Sequence, residues 1–226
     1  MNITAIIPAR GGSKGVPRKN VRLVHEKPLI VWSIEQALQA KNISRVVVST
    51  DCPEIAEIAK SVGADVPGLR PDHLAEDNTA TEPVLLHVVE EWSNNHKPDA
   101  IMLLQPTSPI RFEETIDKAV DLFVQEEADS LVGVSESHPF FWKTPAEPEA
   151  IYDIFNRPRR QDIKPSEHWY RENGSIYITK TDILLNSKNR LGGKIAMFVM
   201  QEEETWDIDS EIDFIIVEEI MRRREM

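Results

Sequence analysis

Four short apolar runs recur along the chain, and the first three lead into stretches with helical spacing. The runs are Thr4 to Pro8, "RVVVST" (Arg45 to Thr50), "AIMLLQ" (Ala100 to Gln105) and "SLVGVS" (Ser130 to Ser135). A strand without polar alternation is buried on both faces, which requires helices on both sides of a parallel sheet. The intervening stretches supply them. Pro28 opens "PLIVWSIEQALQA", where Ile30, Ile34, Ala37 and Leu38 recur at helical spacing and Pro suits the first turn. "EIAEIAKSV" places Ile55, Ile58, Ala59 and Val62 on one face, with Asp51 expected as N-cap and Glu54 three residues on. Thr81 to Trp92 and Glu113 to Gln125 read as two further helices, the second with Ile116, Val120 and Phe123 in phase. The rhythm predicts an α/β fold, doubly wound, with a mainly parallel sheet flanked by helices.

"SIYITK" and "KIAMFVM" predict two more strands, and "SEIDFIIVEEIMRRR" a closing helix with Ile212, Ile215, Ile216 and Val217 facing inward. Its acids come early and its arginines late, matching the helix dipole. From Ser137 to Trp169 the rhythm breaks into prolines, aromatics and charges. A structureless loop of that length is uncommon inside a domain. The expectation is a single domain over 1–226 with an inserted arm at about 137–169, carrying a β-hairpin and a dimer contact.

Charge narrows the partners. The chain of 226 residues has a formal net charge of -12, which argues against bulk binding of nucleic acid or membrane surface. One cysteine, Cys52, excludes an internal disulfide and a cysteine zinc cluster and fits a reducing compartment. The N-terminus lacks a signal-peptide layout. No apolar run approaches the roughly 18 residues of a membrane span. A soluble cytoplasmic protein is expected. Against the acidic background, Arg10, Lys14, Arg18, Lys19 and Arg22 all precede the first acid, Glu26. They sit in "ARGGSKGVPRKN", directly after the first strand. Glycines there allow backbone N–H groups to approach an anion closely. The spacing is neither that of a P-loop nor that of the usual dinucleotide fingerprint. The residues alone leave a phosphate-binding loop and a solvated basic turn both open.

The run "ARGGSKGVPRKN" resembles the signature of the N-acylneuraminate cytidylyltransferases, enzymes that make CMP-sialic acid. "VVVSTD" (46–51), "LLQPTSPIR" (103–111), "RPRRQD" (157–162), "RENGSIYI" (171–178) and "DIDSEID" (207–213) resemble further blocks of that family, in the same order and across nearly the whole chain. The resemblance implies a nucleotide-diphospho-sugar transferase-like fold and a homodimer in which each arm reaches toward the other subunit's site. It implies CTP and a nine-carbon sugar acid as substrates and magnesium as cofactor.

Carried onto this chain, the resemblance makes Arg10, Ser13 and Lys19 the triphosphate contacts, with Gly11 of the same loop also among the nucleotide-binding residues. Arg10 and Lys19 would also offset charge on the leaving pyrophosphate. Lys14 and Arg18 are left as bystanders. Asn20 suits ribose or base through its amide. Arg70 and Thr81 fall where the family reads cytosine, although Thr81 equally reads as an N-cap. Gln105 ends a strand, where open α/β sheets bind ligands. With Arg160, Arg171, Asn173 and Tyr177 it forms the sugar-acid set, since an Arg can grip a carboxylate bidentately and amide or phenol groups can orient hydroxyls. Tyr177 also reads as plain core. Asp207 and Asp209 stand two apart in an extended segment and so point the same way, a hard oxygen pair for magnesium. Asp209 also reads as the cap of the last helix.

The expected reaction is CTP plus N-acylneuraminate giving CMP-N-acylneuraminate and pyrophosphate. Another nonulosonic acid, legionaminic or pseudaminic, remains open as substrate. So does a catalytically silent nucleotide-binding regulatory module.

Overall fold

The computed structural model describes residues 1–12, 15–92 and 97–224. Strand β1 (Ile3–Pro8) is buried along nearly its whole length. It pairs in parallel with β4 (Arg45–Ser49) on one side and β5 (Ala100–Leu104) on the other. Between β1 and β4, β2 (Leu23–Val24) and β3 (Lys27–Pro28) form a small antiparallel ribbon. The main sheet continues through β9 (Trp169–Lys180) and β6 (Ser130–Ser137) to β10 (Ile195–Val199), in the order β10-β6-β9-β5-β1-β4. Only β9 runs antiparallel to its neighbours. The mainly parallel, doubly wound sheet read from the sequence is therefore the observed one.

Period two along each strand divides the core. Ile3, Ala5 and Ile7 face α1 (Leu29–Gln39), α2 (Pro53–Ser61) and α4 (Thr115–Gln125). Ile6, Val47, Ile101 and Leu103 face α3 (Thr81–Glu91) and α5 (Thr181–Ser187). Burial of Ile116, Val120 and Phe123 from α4 contributes about 1.5–3 kcal/mol for each side chain. Among the described residues, no helix is long and apolar enough to cross a membrane.

Three local expectations need correction. Pro28 is the N-cap of α1, not its first helical residue. The N-cap of α2 is Cys52, with Pro53 at the first helical position. Asp51 instead accepts a hydrogen bond from the Gly11 N–H at 2.9 Å and anchors the basic loop. In α6 (Glu211–Arg224) the inward residues are Phe214, Val217 and Met221, while Ile212 and Ile215 are 66% and 68% exposed. Consecutive helical residues turn by about 100°, so a solid apolar run cannot all face one way and its phase is ambiguous.

The start of α6 is fixed by a reciprocal pair rather than by Asp209. The Ser210 hydroxyl accepts from the Asp213 N–H at 3.4 Å, and the Asp213 carboxylate accepts from the Ser210 N–H at 2.7 Å. Asp213 also accepts from the Asp209 N–H at 3.0 Å.

The arm leaves the sheet on a ribbon formed by the ends of β6 and β9, which pair as far as Ser137 with Trp169. Beyond it lies the hairpin of β7 (Trp142–Lys143) and β8 (Glu149–Ala150). Trp142 is 55% exposed and Phe155 95%.

Candidate active site

The C-terminal ends of β1 and β5 open on one cavity of about 270 Å³. Arg10, Lys19, Asn20, Arg70, Thr81 and Gln105 line it, so most of the residues assigned to nucleotide meet there, joined by Gln105 from the sugar-acid set. The Arg10 guanidinium donates to the Asp77 carboxylate at 2.6 Å. Lys19 is buried, and its ammonium group donates to the Ile208 carbonyl and lies 3.4 Å from Asp209 Oδ1. Asn20 donates to the Arg10 carbonyl at 3.0 Å, which ties the two limbs of the basic loop together.

Arg70 is more committed than the sequence indicates. It is buried and donates to the Ser49 hydroxyl and carbonyl and to the Leu74 carbonyl at 3.2 Å. Burial pushes its guanidinium down to about 10, with the Asp51 carboxylate opposing. Thr81 is the first residue of α3, whose N-cap is Ala80. The N–H of Gly11 is taken by Asp51, so it is not a free anion donor. A side chain at Gly11 would also stand 2.9 Å from the Cys52 Cβ. Ser13 and Lys14 lie outside the described residues.

A second cavity, about 500 Å³, opens beside the first and is lined by Arg171, Asn173, Gly174, Tyr177, Trp206 and Asp207 among others. Gln105 marks the boundary. Its amide oxygen packs so closely on Gly174 that a Cβ there would stand 2.6 Å away, and Gly174 has φ +74. The same turn after β5 reaches the acidic segment. The Ser108 hydroxyl donates to Asp207 at 3.3 Å, and the Ile208 N–H to the Thr107 carbonyl at 2.8 Å.

Within this second set the groups differ in availability. Asn173 is buried, with its amide nitrogen on the Met200 sulfur and its oxygen on the Ser175 N–H. The Tyr177 hydroxyl donates to Glu172 at 2.9 Å, and its ring lies under the Arg190 guanidinium at 5.0 Å. Burial, with Glu172 adding to it, pushes this phenol up to about 12. The core reading of Tyr177 is thus as well founded as the site reading. Arg160 stands exposed in the arm and lines neither cavity, so the chain does not bring it to its own site.

Burial pushes the Asp207 carboxyl above its ordinary range, and the nearby Asp209 carboxylate adds to the push. Thr107, Ser108 and Lys19 oppose it only in part. Asp209 is the open member, with its side chain 80% exposed. A side chain at Gly15 would stand 2.4 Å from the Asp209 carbonyl, so the basic loop lies directly against the acidic segment. Two adjacent carboxylates, one disfavoured by burial, fit a hard divalent cation. Among the described residues no group of three carboxylate, histidine or cysteine ligands forms, so substrate oxygens would have to complete the coordination.

Sequence reasoning left three supports without a role. Asp77 pairs with Arg10. Arg111 is fully buried and donates to the Gln105 carbonyl at 3.1 Å and the Ser175 carbonyl at 2.8 Å, tying the end of β5 to β9. Burial pushes its guanidinium down to about 9. Glu204, also buried, accepts from the Phe112 N–H and the Thr115 hydroxyl and fixes the 3-10 turn Glu202–Thr205 that leads into Asp207.

A family profile described as cytidylyltransferase matches residues 4–216. The chain is 34% identical over 230 residues to "Post-translational flagellin modification protein B" of Campylobacter coli, covering 99% of this chain and 97% of that one. It is 34% identical over 231 residues to the "CMP-N,N'-diacetyllegionaminic acid synthase" of Legionella pneumophila, covering 98% and 97%. It is 33% identical over 224 residues to the "N-acylneuraminate cytidylyltransferase" of Escherichia coli, covering 98% of this chain and 52% of that protein, so it spans about half that relative's length. In structure it matches a CMP:2-keto-3-deoxy-manno-octonic acid synthetase complexed with CTP, with TM-score 0.72, 17% identity, and coverage of 99% and 100%. That likeness concerns the fold.

Proposed function

The chain belongs to the cytidylyltransferase family, and on that premise we propose that it activates a nonulosonic acid of the N-acylneuraminate type with CTP. The observation that carries this reading is the junction of the two cavities. One gathers Arg10 and Lys19 for phosphate, the other presents Arg171 for a carboxylate, and the Asp207–Asp209 segment lies between them.

In the reaction the anomeric hydroxyl oxygen bonds to the α-phosphorus, the bond from that phosphorus to the pyrophosphate bridging oxygen breaks, and the hydroxyl proton leaves to water. Arg10 and Lys19 neutralise charge on the departing pyrophosphate. Arg171 fixes the sugar carboxylate, and the Gln105 amide bonds the sugar across the boundary. A magnesium ion held by Asp207 and Asp209 would supply Lewis-acid stabilisation of the phosphate charge. The test is pyrophosphate release with each of the four nucleoside triphosphates and a panel of nonulosonic acids. The expected result is release with CTP and an N-acylated acid only. Binding of CTP without release for any acid would instead indicate a silent nucleotide-binding module.

The arm supports a homodimer. Trp142 and Phe155 are exposed apolar surface that a soluble chain covers. Arg160, remote from its own cavities, lies on that same arm. Sedimentation at micromolar concentration is expected to give twice the monomer mass. A fully active monomer would rule out this assembly.

A further inference from the structure

Of the five tryptophans, four are engaged through their rings. Trp32 carries Lys27 at 4.6 Å, Trp92 meets His87 at 4.7 Å, Trp142 meets Tyr152 at 6.1 Å and Trp169 meets Phe141 at 5.8 Å. Among the described residues Trp206 has no ring or cation partner, is 37% exposed, and lines the second cavity next to Asp207. Its base is held firmly. It follows the turn Glu202–Thr205, which is closed by a reciprocal Gln201–Glu204 pair and pinned by buried Glu204 to Phe112 and Thr115. An indole carried on that fixed turn, in a cavity lined mainly by polar and charged groups (Arg171, Glu172, Asn173, Asp207) with the half-committed Tyr177 as its one other aromatic, is a ready apolar platform.

We propose that Trp206 is a specificity-determining residue that packs on the apolar part of the sugar acid's acylamino group. The proposal rests on the substrate reading above. An acetamido methyl offers apolar surface for the indole, whereas a hydroxyl at the same carbon offers almost none and prefers water. The polar side chains of the cavity discriminate little between the two, because both groups can hydrogen-bond.

The experiment compares kcat/KM for N-acetylneuraminate with that for the analogue bearing a hydroxyl in place of the acetamido group. It uses the unaltered chain, Trp206→Ala and Trp206→Phe, with CTP affinity measured in parallel. Trp206→Ala is expected to lower kcat/KM about tenfold for the acylated acid and less than about twofold for the analogue. Trp206→Phe is expected to retain most of the discrimination, and CTP affinity to stay unchanged in both variants. An equal fall for the two acids, or none for either, overturns the role of Trp206. Turnover of neither acid by the unaltered chain overturns the substrate reading itself, and this proposal with it.

Discussion

Asp209→Ala is expected to abolish measurable pyrophosphate release, a fall of at least about a thousandfold, while leaving the fold intact. A cation on a transferring phosphoryl group is worth several kcal/mol, and each 1.4 kcal/mol is about tenfold in rate. Asp209 is the exposed carboxylate beside Lys19, and its side chain does not cap α6. The cap belongs to Ser210 and Asp213, so Ser210→Ala should cost about 1 kcal/mol of stability and Asp209→Ala little. Asp207→Ala should also reduce turnover strongly, but with some loss of stability, because the hydroxyls of Thr107 and Ser108 lose their acceptor. Rates at stepped magnesium concentrations, with urea melts of the three variants, separate these outcomes. Near-normal turnover of Asp209→Ala with ordinary magnesium dependence would show that the pair does not hold the metal.

Lys19→Ala is expected to lower turnover about a hundredfold, the equivalent of roughly 3 kcal/mol lost from charge stabilisation of the leaving group. The lysine is buried and aimed at the acidic segment, so its substitution also removes a contact to the Ile208 carbonyl. Lys19→Met, which keeps the apolar stem, is therefore the companion variant. The same loss in both assigns the effect to the charge and not to packing. Arg171→Ala should raise KM for the sugar acid and leave CTP affinity nearly unchanged. A two-substrate kinetic matrix with a CTP titration checks all three. If Lys19 affected only the sugar acid and Arg171 only CTP, the two cavities would hold the opposite substrates.

Much of the architecture was legible because buried parallel strands leave continuous apolar runs, and "IIP", "VVV" and "MLL" each mark one. The basic loop, the turn after β5 and the acidic pair were legible because each is a short contiguous block. What escaped depends on partners far apart in sequence or on helical phase. Nothing near Asp77 announces that it meets Arg10, 67 residues away. Nothing around Arg111 shows that it is buried whole and bonded to Ser175, 64 residues on. Asp51 has the sequence context of a cap, yet the loop after β1 captures its carboxylate first, a tertiary contact overriding a local preference. The inward face of α6 was misread because Ile215, Ile216 and Val217 form a solid apolar run, and only the position of Phe214 against Arg22 and the neighbouring core sets the phase.

Strand β9 has a double membership. Its first residues, Trp169 to Glu172, pair with β6 in the ribbon that carries the arm, and its last, Ile176 to Lys180, lie in the centre of the sheet. Between them the register with β6 slips opposite Gly133, and there the chain presents Asn173 and Gly174 to the second cavity. Mechanically this is a lever on a fulcrum. The central sheet clamps the short end, the arm is the long end, and the irregular segment at the pivot is a wall of the cavity. The ribbon that carries the arm runs directly into the wall formed by Asn173 and Gly174, whereas the cavity lined by Arg10 and Lys19 is built mainly on β1 and its flanking loop and is joined to that wall through Gln105, Arg111 and the acidic segment. A partner docked on the arm would therefore bear first on the wall of the second cavity, and on the first cavity only through the contacts that join the two.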